Sequence, residues 1–176
     1  MKNFYKKSQA GRSMVEMLGV LAIIGVLSVG GIAGYSKAMQ KYKINKAIDQ
    51  ISTIITNVQT LISNTNNRGG LMRSYDLGVF PDDMQYVNDH IVRNTFGLYT
   101  MVTGGGNFWT LRYNVPGRDA CVAILTQNWP AYRIYVAEYN KDDEFDITDL
   151  GASVSISQAG EACKKDVDNT IFMDFR

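Results

Sequence analysis

Nineteen residues without a charge, Met17 to Tyr35, stand directly behind a single acid, Glu16. At ~1.5 Å per residue, a helical run of this length spans roughly the ~30 Å hydrocarbon layer of a bilayer. That is a membrane signal. Lys2, Lys6 and Lys7 precede the run, and the positive-inside preference places the start of the chain in the cytoplasm and everything after Tyr35 outside it. A secretory signal peptide cut among the small residues Gly31 to Gly34 is one alternative. Against it stand the length of the run, the acid at its front edge and the helical sequence that continues behind it. A plain single-pass anchor is the other alternative, and it leaves Glu16 unexplained.

Behind Tyr35 the charges return as Lys37, Lys41, Lys43 and Lys46, while Ile44, Ile48, Ile51, Ile55, Val58 and Ile62 recur every three or four residues. This is the pattern of an amphipathic helix. With no Pro, and no Gly from Tyr35 to Ile62, the apolar run and the isoleucine stripe read as one helix from about Ser13 to Ser63. Such a helix is about 77 Å long, more than a small domain can cover. Gly19, Gly25, Gly30, Gly31 and Gly34 weaken it in water, yet small residues permit close helix packing in lipid. Asn64 to Gly70 supplies turn formers and a glycine stop.

The remainder reads as a head. Leu71 to about Thr95 is expected to connect through short helical turns. Leu98–Thr103 and Phe108–Tyr113, separated by Gly104-Gly105-Gly106-Asn107, form a hairpin signal. Arg118 to Asn128 is helical in pattern, and Tyr132 to Tyr139 is a third strand. Ser153–Ser157 and Ile171–Phe175 are weaker strand candidates, and Ser157–Lys164 is a short helix carrying Cys163. The expected class is α+β, a long helix packed on an antiparallel sheet.

Composition narrows function mainly by exclusion. With 176 residues, 45% of them hydrophobic and 20% charged, the chain suits one modest globular domain beside its apolar segment. A net charge of +1, without a long basic stripe, is not that of a specific nucleic-acid binder. His90 is the single imidazole, and no neighbouring sequence builds a nucleophilic triad on it. Cys121 and Cys163 sit in no C-x-x-C pair and beside no metal-ligand set. No enzymatic activity and no cofactor are therefore expected. The rings of Phe108, Trp109 and Tyr113 belong to the core in the ordinary reading; in an anchored binding or sensor domain that never polymerises they would line a ligand site.

The stretch Gly11-Arg12-Ser13-Met14-Val15-Glu16-Met17-Leu18 is similar to the prepilin peptidase motif, in which a Gly closes a short basic leader and a Glu stands fifth in the mature chain. On these residues the chain resembles the type IV pilin and pseudopilin superfamily. Asn94-Thr95-Phe96-Gly97 and the helical Cys121 look like its type IVb branch. Arg12 stands where the family usually has Phe or another apolar residue, and the family's frequent Pro within the apolar run is missing. The resemblance implies a leader, residues 1–11, cleaved between Gly11 and Arg12, with methylation of the new amine. It implies an assembly segment over 12–36 and the amphipathic half of the helix with an αβ-roll head over 37–176. Implied partners are prepilin peptidase, an inner-membrane assembly platform, and copies of the chain and other pilins meeting through the N-terminal helix. The implied location is the bacterial inner membrane with the head in the periplasm, and then a periplasmic or extracellular filament serving adhesion or secretion.

Four features have physical readings of their own. An acid at the edge of a membrane helix costs on the order of a few kcal/mol unless it is paired. An α-amine created at Arg12 would attract Glu16 by ~4 kcal/mol at ~4 Å and an effective dielectric near 20. The resemblance assigns that amine to a neighbouring subunit, with the Arg12 side chain as a competing partner. Loss of Lys2, Lys6 and Lys7 with the leader takes the net charge from +1 to −2. Outside the cytoplasm, Cys121 and Cys163 most simply form one disulfide, as pilin heads characteristically do; free buried thiols are the alternative. Asp142, Asp143, Glu144 and Asp146 concentrate carboxylates as some calcium-binding pseudopilins do. Their spacing is not that of an EF-hand, and a solvated loop is the ordinary reading.

Overall fold

The computed structural model describes the backbone of residues 10–65, 75–105, 108–139, 145–164 and 167–176. The chain divides into two compact units, one ending at Tyr42 and the other running Lys43–Arg176. Helix α1 (Ala10–Thr65) supplies the described part of the first unit and opens the second.

In the first unit the leucines, isoleucines, valines and methionines of Met14 to Ile32 are all exposed. Gly19, Gly25, Gly30, Gly31 and Gly34 face open space. Ser28 and Ser36 donate their hydroxyls back to the carbonyls of Ile24 and Ile32, at 2.7 and 3.0 Å. Such back-bonding lets a polar side chain lie in an apolar medium without an unmet donor.

The second unit is a seven-stranded antiparallel sheet with three helical segments. Its strands are β1 (Gln85–Asn88), β2 (Ile91–Arg93), β3 (Tyr99–Gly105), β4 (Phe108–Pro116), β5 (Arg133–Tyr139), β6 (Phe145–Gly151) and β7 (Asp168–Phe175). Helices α2 (Gly117–Leu125) and α3 (Ile156–Ala162) complete it. The spatial order is β1-β2-β3-β4-β7-β5-β6. The last strand in sequence thus lies between a four-stranded meander and a two-stranded hairpin.

Strand alternation decides where the core lies. In β4, Trp109, Leu111, Tyr113 and Val115 are buried; in β7, Ile171, Met173 and Phe175 are. These side chains form one cluster with Ala47, Ile51, Ile54, Ile55 and Val58 of α1 and with Ala120, Cys121, Ile124 and Leu125 of α2. Each fully buried aliphatic side chain contributes roughly 1.5–3 kcal/mol relative to exposure. The sheet laid against a long amphipathic helix is the α+β arrangement expected from the sequence.

Some boundaries differ from expectation. The connection before the expected hairpin holds strands β1 and β2, joined by a tight turn rather than by helical turns. Asn88 makes that turn, its Oδ1 accepting from the backbone N–H of His90 and Ile91, the local bonding that suits Asn to turns. Ser153–Ser157 is not a strand. Ser155 there caps α3, accepting from Gln158 N–H while the Gln158 side chain accepts from Ser155 N–H, a reciprocal capping box. Helix α2 stops at Leu125, before the expected Asn128, and the Trp129 indole N–H bonds the Ile124 carbonyl at 2.8 Å. Phe145 to Gly151, read as an acidic loop, pairs with β5 as an edge strand. Helix α1 ends at Thr65, and most of the turn-forming stretch Asn64–Gly70 lies outside the described residues.

Candidate functional site

The first candidate site is the apolar surface at the start of α1. Gly11 and Arg12 lie in its first turns, with side chains outside the described residues, and Glu16 is exposed one turn further on. Around Glu16 stand Met14, Val15, Met17 and Leu18, each more than half exposed. Within Met14–Ser63 the apolar stretch has a mean hydropathy of 2.2 and no buried residue. An apolar surface of this extent is of the kind that a membrane or a protein partner covers.

In the head, Gln50 of α1 is a buried hub. Its Nε2 donates to Asp83 at 2.8 Å. Its Oε1 accepts from the Tyr113 hydroxyl at 2.8 Å and from the Thr95 backbone N–H at 3.2 Å. Lys46, one turn earlier, pairs with Asp83 at 3.0 Å. Burial alone would push the Asp83 carboxyl up, but hydrogen bonds from Lys46 and Gln50 and the charge of Lys46 outweigh it and hold the carboxyl below its ordinary value. Burial and the nearby Asp83 charge raise the Tyr113 phenol well above its ordinary value.

The turn from β2 to β3 is built on Asn94, which is buried. Its Nδ2 donates to Thr100 Oγ1 and to the Asn114 carbonyl; its Oδ1 accepts from the N–H of Phe96 and Leu98. Gly97 closes the turn at φ +80°, where a side chain would be strained.

A row of side chains crosses the other face of the sheet. Arg112 stands opposite Phe172, Phe172 opposite Tyr135, and Tyr135 opposite Asp149. The Phe172 and Tyr135 rings stack at 4.7 Å with planes 3° apart. The Arg112 guanidinium lies 5.8 Å from the Phe172 centroid and that of Arg133 5.2 Å from the Tyr135 centroid. Arg133 also binds Asp149 at 2.8 Å. Hydrogen bonds from Arg133 and from the Gly151 N–H hold the Asp149 carboxyl below its ordinary value.

Cys121 of α2 and Cys163, at the end of α3, are joined in a disulfide with Cα atoms 5.9 Å apart. An open groove of about 580 Å³ runs between the two helices, lined by Arg118, Val122, Ile156 and Gly160 among others. Trp109 and Tyr113 are buried in the core, Trp109 stacked on Phe175 at 4.1 Å, while Phe108 is exposed. A ligand site lined by all three rings is therefore not what the hairpin builds. His90 is half-buried in the β1–β2 turn. Of the calcium candidates, Asp142, Asp143 and Glu144 lie outside the described residues, and Asp146 is described only in its backbone, on β6. Among the described residues no group of three or more His, Cys, Asp or Glu is placed to hold a metal ion.

Sequence reasoning missed Gln50 and the Arg112–Phe172–Tyr135 row, and it named Asn94 only for a resemblance, not as the buried centre of a turn. Gln50 interrupts the isoleucine stripe on its buried side, and that was the one signal available for it. The row depends on β7 returning between β4 and β5, which no local pattern announces.

No curated protein matches the sequence. Residues 41–174, well over half the chain and nearly all of the head, match the PilS N terminal family. That match, on a chain whose α1 begins with an apolar run and whose head is an antiparallel sheet, shows that the chain belongs to the PilS N-terminal family and is a pilin-like, pilus-related protein.

Proposed function

We propose that this chain is the structural subunit of a type IV pilus or pilus-like filament, made as a membrane-anchored precursor and polymerised through α1. The observation that carries the proposal is the exposed apolar surface from Met14 to Tyr35 on a chain of this family. A bilayer covers such a surface before assembly, and the same surfaces of neighbouring copies cover it afterwards. Family and fold together suggest a non-catalytic, structural role.

In this reading prepilin peptidase cuts between Gly11 and Arg12 on the cytoplasmic side. Residues 1–11 are then the leader, 12–36 the assembly segment, and 37–176 the rest of the helix and the head. The new α-amine, a substrate for methylation, pairs with Glu16 of a neighbouring copy. This pair recruits the incoming subunit and fixes its axial position, because an acid held in an apolar bundle is costly wherever the amine is out of register. The head faces the periplasm before an inner-membrane platform extracts the subunit. The filament then serves adhesion, secretion or both.

Mass spectrometry of the mature protein tests the first step: a chain beginning at Arg12 supports it, and an intact Met1 contradicts it. Glu16→Val tests the second. The head should fold as before while filament yield drops at least tenfold, the consequence of losing a pair worth more than about 1.4 kcal/mol. Filaments formed normally by the variant would remove the role given to Glu16.

A further inference from the structure

The lysines behind the apolar run have no place in the assembly scheme. Lys2, Lys6, Lys7 and Arg12 precede the run, and Lys37, Lys41, Lys43 and Lys46 follow it. Cations close behind a span on its outer side oppose the orientation that the positive-inside preference sets. A residue choice that works against topology implies a second use.

Four residues of the first unit show what that use is. Tyr35, Lys37, Lys41 and Tyr42 all lie on α1, with Tyr35 67% and Tyr42 56% exposed. No acid occurs between Glu16 and Asp49, so nothing nearby in the sequence neutralises the two ammonium groups. At 1.5 Å per residue, Lys37 stands about 3 Å and Lys41 about 9 Å beyond Tyr35 along the helix. The polar layer of one leaflet is about 5–7 Å thick. Helical side chains lean toward the N-terminus, here back toward the bilayer, so the Lys41 ammonium reaches the same layer as that of Lys37. Residues four apart share a face of the helix. Tyr35 and Tyr42, seven residues apart, share the other side of the helix and bracket the pair in depth, and they suit the membrane interface, where their rings sit among headgroups.

We propose that Lys37 and Lys41, flanked by Tyr35 and Tyr42, bind the phosphate of anionic phospholipids on the outer surface of the membrane that α1 crosses before assembly. The proposal rests on the membrane-anchored precursor described above. It gives the lipid a definite part in holding the subunit at the depth from which it is later extracted, and it makes that hold sensitive to salt and to lipid charge.

The full chain, placed in nanodiscs of phosphatidylcholine with a minority of phosphatidylglycerol, provides the test. The lipids retained on the protein after gentle detergent extraction are identified by mass spectrometry. The wild-type chain should enrich phosphatidylglycerol, and high salt should abolish the enrichment. Lys37→Gln/Lys41→Gln should lower it about tenfold, while Lys37→Arg/Lys41→Arg should keep it. The leader lysines are common to all three chains, so the difference isolates the pair. Equal enrichment in wild type and the glutamine variant, or none in either, overturns the proposal. Alkaline carbonate extraction separates this failure from that of the anchor: a wild-type chain that leaves the membrane overturns both readings, and one that stays without gathering phosphatidylglycerol overturns only this one.

Discussion

At the scale of the residue, the head is organised by polar side chains that the hydrophobic pattern does not reveal. Gln50 faces the core among isoleucines, and its amide reaches the Asp83 carboxylate, the Tyr113 hydroxyl and the Thr95 N–H. A buried amide bonded at both its nitrogen and its oxygen fixes the rotation and register of its helix, because a shift of one residue would break all three bonds. Asp83 turns part of this into pH dependence. Its carboxyl is held below the ordinary value, so the unfolded chain takes up the proton first as pH falls. The stabilisation is present above about pH 4 and is lost as pH falls through the lower, folded value. Asp83 is part-exposed, and the pair is discounted to no more than about 1 kcal/mol. Asp83→Asn should be less stable than wild type near neutral pH, with the gap closing below about pH 4, as urea melts at both ends of the range would show. A gap that did not change with pH would remove the ionic part of the interaction.

At the scale of the element, what could be read from the sequence was what local order dictates. The amphipathic period gave α1, the β-branched and aromatic runs gave β3, β4 and β5, and the Ile171–Phe175 run gave β7. Strands β1 and β2 were missed because each is three or four residues long and half-exposed, too short for alternation to show. Strand β6 was missed because Asp146 and Asp149 made it look solvated; charge on an edge strand also keeps the edge from pairing with other chains. The cross-strand row of Arg112, Phe172, Tyr135 and Arg133 was beyond reading, since it exists only once β7 enters between β4 and β5. Its energetic weight is measurable. In a double-mutant cycle, Phe172→Ala and Tyr135→Ala should show a coupling of about 0.5–1.5 kcal/mol, the excess of a stacked pair over area burial alone. Strictly additive costs would mean that the two rings act only as separate apolar cover.

At the scale of the whole molecule, the head depends on its C-terminal strand. Without β7 the sheet would be a meander of four strands and a separate hairpin, for β7 pairs with both β4 and β5. Pairing of such sequence-distant strands carries a loop-closure cost, and two devices reduce it at the point where β7 enters. One is buried Asn169, whose Nδ2 donates to the carbonyls of Gly117, Lys164 and Val167 while its Oδ1 accepts from Lys164 N–H, tying the start of β7 to the end of β4. Gly117, at φ +59°, makes the turn into α2 that this contact needs. The other is the Cys121–Cys163 disulfide, which spans a separation of 42 residues and holds the helix after β4 against the helix before β7. The two cysteines could be matched from the sequence by compartment and resemblance, but their use as the closure for β7 required the strand order. A chain-entropy estimate for a loop of this size gives about 4 kcal/mol. For a head of this size that corresponds to a melting temperature lower by roughly 10–20 °C in the Cys121→Ala/Cys163→Ala variant. Wild type melted with a reductant present should show the same loss, which separates the effect of the bond from that of the alanines. If reduction leaves the melting temperature where it was, Asn169 and the core hold β7 in place unaided and the bridge is dispensable for closing the sheet.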